Sequence, residues 1–265
     1  MAKKKEDVMT NSDEISSNLS ESEPMGVNTL KGNIFTSKCQ TLVNTVNCQG
    51  VMGAGIALEF KLRLPEMFDL YVKKCRIGEI DIGKSWLYKP PQGSREDRWV
   101  LNFPTKRHWR YPSKFEYLEA GLDEFLNSYE NEGIESIAFP VLGASNGGLD
   151  EEESLSVMRS YLERCDIPVE IYQYDPTTVD DLFQEFQQKL VSNRDKTFLA
   201  KNMGVRVDRL NSILNILNDA DNPIKSLSQL ATVPGVGSKT LEKCFRYVMD
   251  APSHNLVAEQ TSMFD

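Results

Sequence analysis

Histidine is nearly absent from this 265-residue chain. His108 and His254 are the only two and lie far apart, which excludes chemistry built on a histidine pair. Cysteine is sparse and unpatterned. Cys39, Cys48, Cys75, Cys165 and Cys244 are odd in number and show no CxxC spacing, so neither a disulfide framework nor a zinc site is indicated. That usage fits a reducing cytoplasm. No apolar run approaches the length of a membrane span, and Met1–Lys5 leads into polar, acidic sequence rather than a secretory core, so no membrane partner is expected. Positive charge is in deficit, with 30 basic against 39 acidic residues and a net charge of −9. Such a balance argues against nucleic acid, but it is uneven. Residues 190–250 carry nine basic and six acidic side chains, a local +3 that leaves −12 on the rest. An acidic body with a mildly basic end hints at a polyanion partner.

What is present reads as two folded units. Residues 1–26 are rich in Ser, Glu, Asp and Asn without apolar period, and read as a disordered tail. Over 27–176, apolar strand-like runs at 27–31, 41–46, 84–89, 98–103, 135–141 and 168–173 alternate with helical runs at 54–75, 114–131 and 151–165. This predicts an α/β domain with a buried, largely parallel sheet between helical layers. Pro65 predicts a break inside the first helical run. Residues 177–194 read as a linker helix, 195–250 as a small all-α unit, and 251–265 as a flexible tail.

Two glycine-rich segments carry the chemistry. In NTVNCQGVMGAGIALEFK (44–61), a β-branched strand runs into Gly50, Gly53 and Gly55 and then into a helix. Glycines let the backbone approach a ligand, and the helix behind them offers free N–H groups to a diphosphate. In PVLGASNGGLD (140–150) the same order recurs, with Gly143, Gly147 and Gly148 before a helix capped by Asp150, and Glu153 at the capping-box position. Two such loops at strand carboxyl ends would face one crevice and suit a ligand with two phosphates and two sugars.

These segments, with KGNIF (31–35) and NFPTKRHWR (102–110), stand in an order that resembles the macrodomain family, the ADP-ribose-binding fold, from Gly32 to about Asp175. Within it they resemble the branch of terminal ADP-ribose glycohydrolases and DarG antitoxins, which remove ADP-ribose from thymidine in DNA. The resemblance implies a three-layer α/β/α macrodomain with a mixed, largely parallel sheet. It implies ADP-ribose contacts from Asn33, Ile34, Asn47, Gly50, Met52, Gly53, Gly55, Ile56, Thr105, Gly143, Ser145, Asn146, Gly147, Gly148 and Leu149. Many macrodomains carry an acidic residue after the first strand to accept from the adenine amino group; here Asn33 stands there, an acceptor without charge.

Cleaving the bond at C1 of the distal ribose builds oxocarbenium character, which a nearby carboxylate or amine assists. The resemblance gives catalysis to Lys106 and Asp150. A lysine that attacks C1 must be neutral, hence of depressed pKa; a carboxylate at a helix N-terminus suits a base. Read without the resemblance, Lys106 is more readily a solvated member of a basic run or a phosphate contact, and Asp150 an N-cap only. Arg107, His108, Trp109, Arg110 and Tyr111 mix cations with aromatics, so Arg107 and Trp109 are candidates to hold a DNA strand by charge and stacking, the alternative being local packing.

The stretch LSQLATVPGVGSKTLEKC (227–244) resembles a helix-hairpin-helix motif, in which Gly235, Gly237 and Lys239 would meet a DNA phosphate. FLAKNMGVRVDRLNSILNIL (198–217) reads either as its partner hairpin or as a separate helix-turn-helix. DarG antitoxins have a larger C-terminal domain than this unit. The sequence thus favours a cytoplasmic ADP-ribosyl glycohydrolase acting on thymidine-linked ADP-ribose, with no metal or redox cofactor. Its expected partners are ADP-ribosylated DNA and a toxin ADP-ribosyltransferase. The alternatives are hydrolysis of protein-linked ADP-ribose and non-catalytic reading of ADP-ribose.

Overall fold

The computed structural model describes residues 26–192, 195–219, 221 and 224–249. The tails expected at 1–26 and 251–265 lie outside the described residues, apart from Gly26. Six strands form one sheet in the order β1-β6-β5-β2-β4-β3. They are β1 (Val27–Gly32), β2 (Thr41–Asn47), β3 (Trp86–Tyr88), β4 (Trp99–Lys106), β5 (Ile137–Pro140) and β6 (Val169–Tyr174). All neighbours pair in parallel except β3, which runs antiparallel to β4 at the edge. The mixed, largely parallel sheet is the one expected.

Alternation along the strands sorts the two faces. Leu42, Val46 and Val100 pack beneath α1 (Gly55–Arg63) and α2 (Pro65–Arg76), with Phe60, Met67 and Tyr71. Val43, Leu101, Phe103, Ile137, Phe139 and Ile171 pack beneath α3 (Phe115–Glu132) and α4 (Glu151–Leu162), with Leu118, Phe125 and Met158. The helical run at 54–75 is indeed broken: Leu64 leaves helical geometry and Pro65 opens α2, where its missing N–H costs nothing.

The strand expected to stop at 103 continues to Lys106. Pro104 lacks the N–H that a central strand needs, which is why the sequence reads as ending there. Two features accommodate it. β3 pairs only with Val100–Asn102, and a register shift matches Val46 with Pro104 but Asn47 with Lys106, so Thr105 bulges out.

Beyond Tyr174 the chain forms a second core. It comprises α5 (Asp181–Ser192), α6 (Lys196–Met203), α7 (Val207–Leu217), a short turn at Ser228–Thr232 and α8 (Ser238–Met249). The helix expected as a linker, α5, contributes Leu182, Phe183, Phe186 and Leu190 to this core. Its two glycine turns are related by an offset of 31 residues: buried Leu199, Leu210 and Ile213 match buried Leu230, Leu241 and Cys244. Gly204 and Gly235, the matching turn glycines, have φ of +71° and +83°. A Cβ on Gly235 would lie 1.8 Å from Nη1 of Arg209, so α7 of one hairpin packs against the glycine turn of the other.

The two units meet on α1. Leu58 and Leu62 pack against the helical core, while Phe60 packs into the sheet side. Between them Arg63, whose side chain is 1% exposed, holds Glu59 of its own helix at 2.9 Å and Asp181 of α5 at 2.8 Å. Asp180 beside it is buried and caps α5, accepting from Phe183 and Leu227 N–H. Burial, reinforced by Glu59, pushes its carboxyl up to about 6.

Gly121 of α3 is fixed by contact rather than by backbone conformation. A Cβ there would lie 2.2 Å from the Phe103 ring. Gly→Ala within a helix ordinarily stabilises by about 1 kcal/mol. Gly121→Ala is expected to do the reverse, destabilising by roughly 1–3 kcal/mol through overpacking. Chemical denaturation measures this, and an unchanged or raised midpoint would show that Phe103 moves aside freely.

Candidate functional site

Strand β2 ends in the first glycine loop, and the side chain of Asn47 builds that loop. Its Oδ1 accepts from Gln49 N–H at 2.9 Å and Val51 N–H at 3.4 Å, and its Nδ2 donates to the Val51 carbonyl at 2.6 Å. Tyr71 of α2, fully buried, donates its hydroxyl to the Asn47 carbonyl. The amide expected to meet a ribose is therefore engaged as the turn former. Gly50 (φ +75°) lies 3.4 Å, at its Cβ position, from the α2 backbone, so the loop sits directly on that helix. Beneath it, register partners Asn44 and Asn102 join Nδ2 to Oδ1 at 2.9 Å, and Asn44 also faces the sulfur of Met52.

Strand β5 ends in the second loop. Gly143 (φ +70°) leaves room for Leu149, which a Cβ would meet at 2.6 Å. Ser145, at φ +48°, is the one non-glycine residue in the left-handed region among the described residues. Such a conformation costs on the order of 1–3 kcal/mol and is characteristic of ligand-holding segments. Asp150 caps α4 as expected, its Oδ1 accepting from Glu152 and Glu153 N–H at 3.0 Å each.

The two loops touch. A Cβ on Gly55 (φ +57°) would come within 2.6 Å of Nδ2 of Asn146. Lys106 closes the same gap from the other side. It ends β4, and its ammonium reaches across the mouth of β2 to the Asn146 carbonyl in the second loop. Partial burial, with no carboxylate partner, lowers the pKa of this amine below the ordinary 10.5.

With this geometry, the Macro domain family model matches residues 43–158, a span that holds both loops and Lys106. The solved macrodomain of Thermus aquaticus DarG is 40% identical and matches 56% of this chain and 97% of its own length, with a TM-score of 0.52. The chain belongs to the macrodomain family. Thermosipho africanus DarTG in complex with ADP-ribose is 36% identical over 56% of this chain and 42% of its own, with a TM-score of 0.52. A curated relative, the DNA ADP-ribosyl glycohydrolase of Thermus aquaticus, is 41% identical over 148 residues, 56% of this chain. The chain spans about 40% of the length of that relative.

Within this macrodomain, Asn33 and Ile34 follow β1 on the same carboxyl rim, and both are buried. Asn33 Oδ1 accepts from Phe35 N–H at 3.0 Å, leaving one lone pair for a further donor. Met52 and Thr105 are buried, Ile56 is half-buried, and Gly53 is exposed. The basic run lies beside the second loop, where Ser113 N–H donates to the Gly147 carbonyl at 2.9 Å. Trp109 is 46% exposed, stacked on His108 and covered by the Arg110 guanidinium at 4.7 Å. Gly235, Gly237 and Lys239 belong to the helical core's second hairpin, not to the rim.

Three participants had no sequence signal. Asp81 pairs with Arg107 at 2.8 Å at the exposed rim, both side chains remaining open to solvent. Cys48 sits at the first loop, but burial and Asp81 push its thiol up to about 12, which makes it inert as a nucleophile. Ser113 is buried against Gly147 with an unpartnered hydroxyl. Among the described residues no His, Cys, Asp and Glu cluster is placed to hold a metal ion, and no helix is long and apolar enough to cross a membrane.

Because Asn47 supplies three bonds to its own loop, Asn47→Ala frees the Gln49 and Val51 amides. Their hydrogen exchange is expected to accelerate by at least tenfold, with a loss of about 1–3 kcal/mol in stability. Unchanged protection at both amides would remove Asn47 as the loop's organiser.

Proposed function

We propose that this macrodomain removes ADP-ribose from thymidine in DNA and serves as the antitoxin of a DNA ADP-ribosyltransferase. The observation that carries the reading is Lys106: an amine of lowered pKa, spanning from β4 to the second glycine loop, with a carbonyl as its partner. The reading is supported by relatives whose names state DNA ADP-ribosyl glycohydrolase activity, one of them, from Thermosipho africanus, fused to a DNA ADP-ribosyl transferase. The five cysteines are thiols rather than disulfide-bonded, which fits the cytoplasm.

In this reading the diphosphate lies on the N–H groups of the two loops and the distal ribose at Lys106. Neutral Nζ attacks C1 as the C1–base bond breaks, and the base leaves with the electron pair and takes a proton from water. The proton shed by the alkylated amine passes to the Asp150 carboxylate. The hydroxide left by that water then adds at C1 as Asp150 returns its proton to the departing amine, which restores both the lysine and the carboxylate. Arg107 and Trp109 grip the strand beside the modified base, Arg107 after exchanging Asp81 for phosphate. The second hairpin adds a phosphate contact through Gly235, Gly237 and Lys239. It suits this better than the first, whose helix opens with Asp208 paired to Arg206.

Single-stranded DNA carrying ADP-ribose on thymine is the test substrate. Release is expected from the wild type and should fall at least a hundredfold in Lys106→Ala, with ADP-ribose affinity retained. Asp150→Ala should lose rate less completely. No release by wild type, with binding intact, would turn the assignment towards protein-linked ADP-ribose or a reader.

The pH profile gives a second check. Attack needs the neutral amine, and that form is present below the pH at which an ordinary lysine, near 10.5, would supply it. The rate should rise with pH and level off with a midpoint below 10.5. A profile falling with rising pH would exclude the amine as nucleophile.

A further inference from the structure

The turn at Asn33–Ser37 is held by two arginines. Arg98 donates to the carbonyls of Phe35 at 2.9 Å and Ser37 at 3.2 Å. Arg63 lies on the Phe35 ring, its guanidinium carbon 3.9 Å from the centroid. Phe35 in turn fixes Asn33, because its N–H holds Asn33 Oδ1. Both arginines share Glu96, which binds Arg98 in bidentate fashion and lies 3.8 Å from Arg63.

One partner in this chain of contacts comes from outside the macrodomain. Asp181, the first residue of α5, takes Nη1 and Nη2 of Arg63 at 3.2 and 2.8 Å. Against Glu59 and Glu96, both on the macrodomain side, it pulls the guanidinium to where it covers the Phe35 ring. On its inner side the turn is backed by the core, Phe35 packing on Phe60 with ring centroids 4.8 Å apart. On its outer side an open cleft of about 1090 Å³ runs between Phe35–Lys38 and Asp181, Glu185 and Lys189, so on that face the turn is held by its arginine clamp.

We propose that Asp181 and Arg63 are positioning residues for the purine end of the ligand, so that the helical unit sets the macrodomain's affinity for adenosine. The inference rests on the reading of the cleft as an ADP-ribose site. With Asp181 neutralised, Arg63 is drawn towards Glu59 and Glu96, the Phe35 ring loses its cover, and Asn33 loses its fixed orientation. Asp181 is 45% exposed at its side chain, and Asp180 rather than Asp181 accepts the capping bond from Phe183, so the substitution spares the helix.

The full chain, Asp181→Asn, Asp181→Glu and Arg63→Lys are titrated with ADP-ribose, AMP and ribose 5-phosphate by calorimetry. Asp181→Asn and Arg63→Lys are expected to weaken ADP-ribose and AMP about tenfold and to leave ribose 5-phosphate within about twofold. Asp181→Glu should restore most of the loss. In the release assay the same variants should raise KM and leave kcat within about twofold. AMP affinity unchanged in Asp181→Asn, or all three ligands weakened alike, would overturn the proposal while leaving the ADP-ribose site standing. Absence of AMP and ADP-ribose binding in the wild type would overturn both.

Discussion

Strand β2 is bonded on both sides by parallel neighbours, β5 and β4, and the whole candidate site hangs from that pairing. Parallel strands end on the same rim. Three chemically different segments therefore emerge side by side: a glycine loop from β5, another from β2, and a lysine from β4. The spacing between adjacent strands, just under 5 Å, is short enough for Lys106 to cross over β2 and meet the loop from β5. An antiparallel order would send alternate ends to opposite rims and separate the lysine from the loops.

Much of this was legible because it is periodic or local. The alternation of β2 and β4, the break at Pro65, the cap at Asp150 and both glycine loops are short-range features, and they stand where the sequence places them. The end of β4 was misread because Pro104 signals a stop, and only the bulge at Thr105, a property of two paired strands, lets the strand run on. Asn47 illustrates a different limit of residue type. An asparagine before glycines suits a ligand contact and a turn former equally, and residue type alone does not say where its amide points. Contacts such as Arg63 with Asp181, 118 residues apart, leave no local trace at all.

Helix α1 shows why the contact between the two units was hard to see. A helix covering one sheet carries a single apolar stripe. This one presents Phe60 to the sheet side and Leu58 and Leu62 to the helical unit, so its apolar residues point to opposite sides. The same helix carries the first glycine loop at its start and Arg63 at its end. It is thus at once the element that follows the first glycine loop and the surface on which the second unit rests. The buried guanidinium between them carries a desolvation cost that is met only while carboxylates from both sides surround it. An ion pair of that kind adds little net stability, but it fixes how one unit sits on the other.

The charges at the rim are distributed so that the amine is left without a carboxylate. Asp81 approaches β4 closely enough to engage Cys48, whose thiol meets the Lys106 carbonyl, yet it is Arg107 that takes its charge. A carboxylate bonded to Lys106 would hold the ammonium form and silence it as a nucleophile. A carbonyl partner fixes the side chain's direction without that electrostatic penalty, since the Asn146 oxygen carries no net charge. Partial burial then acts unopposed and lowers the pKa.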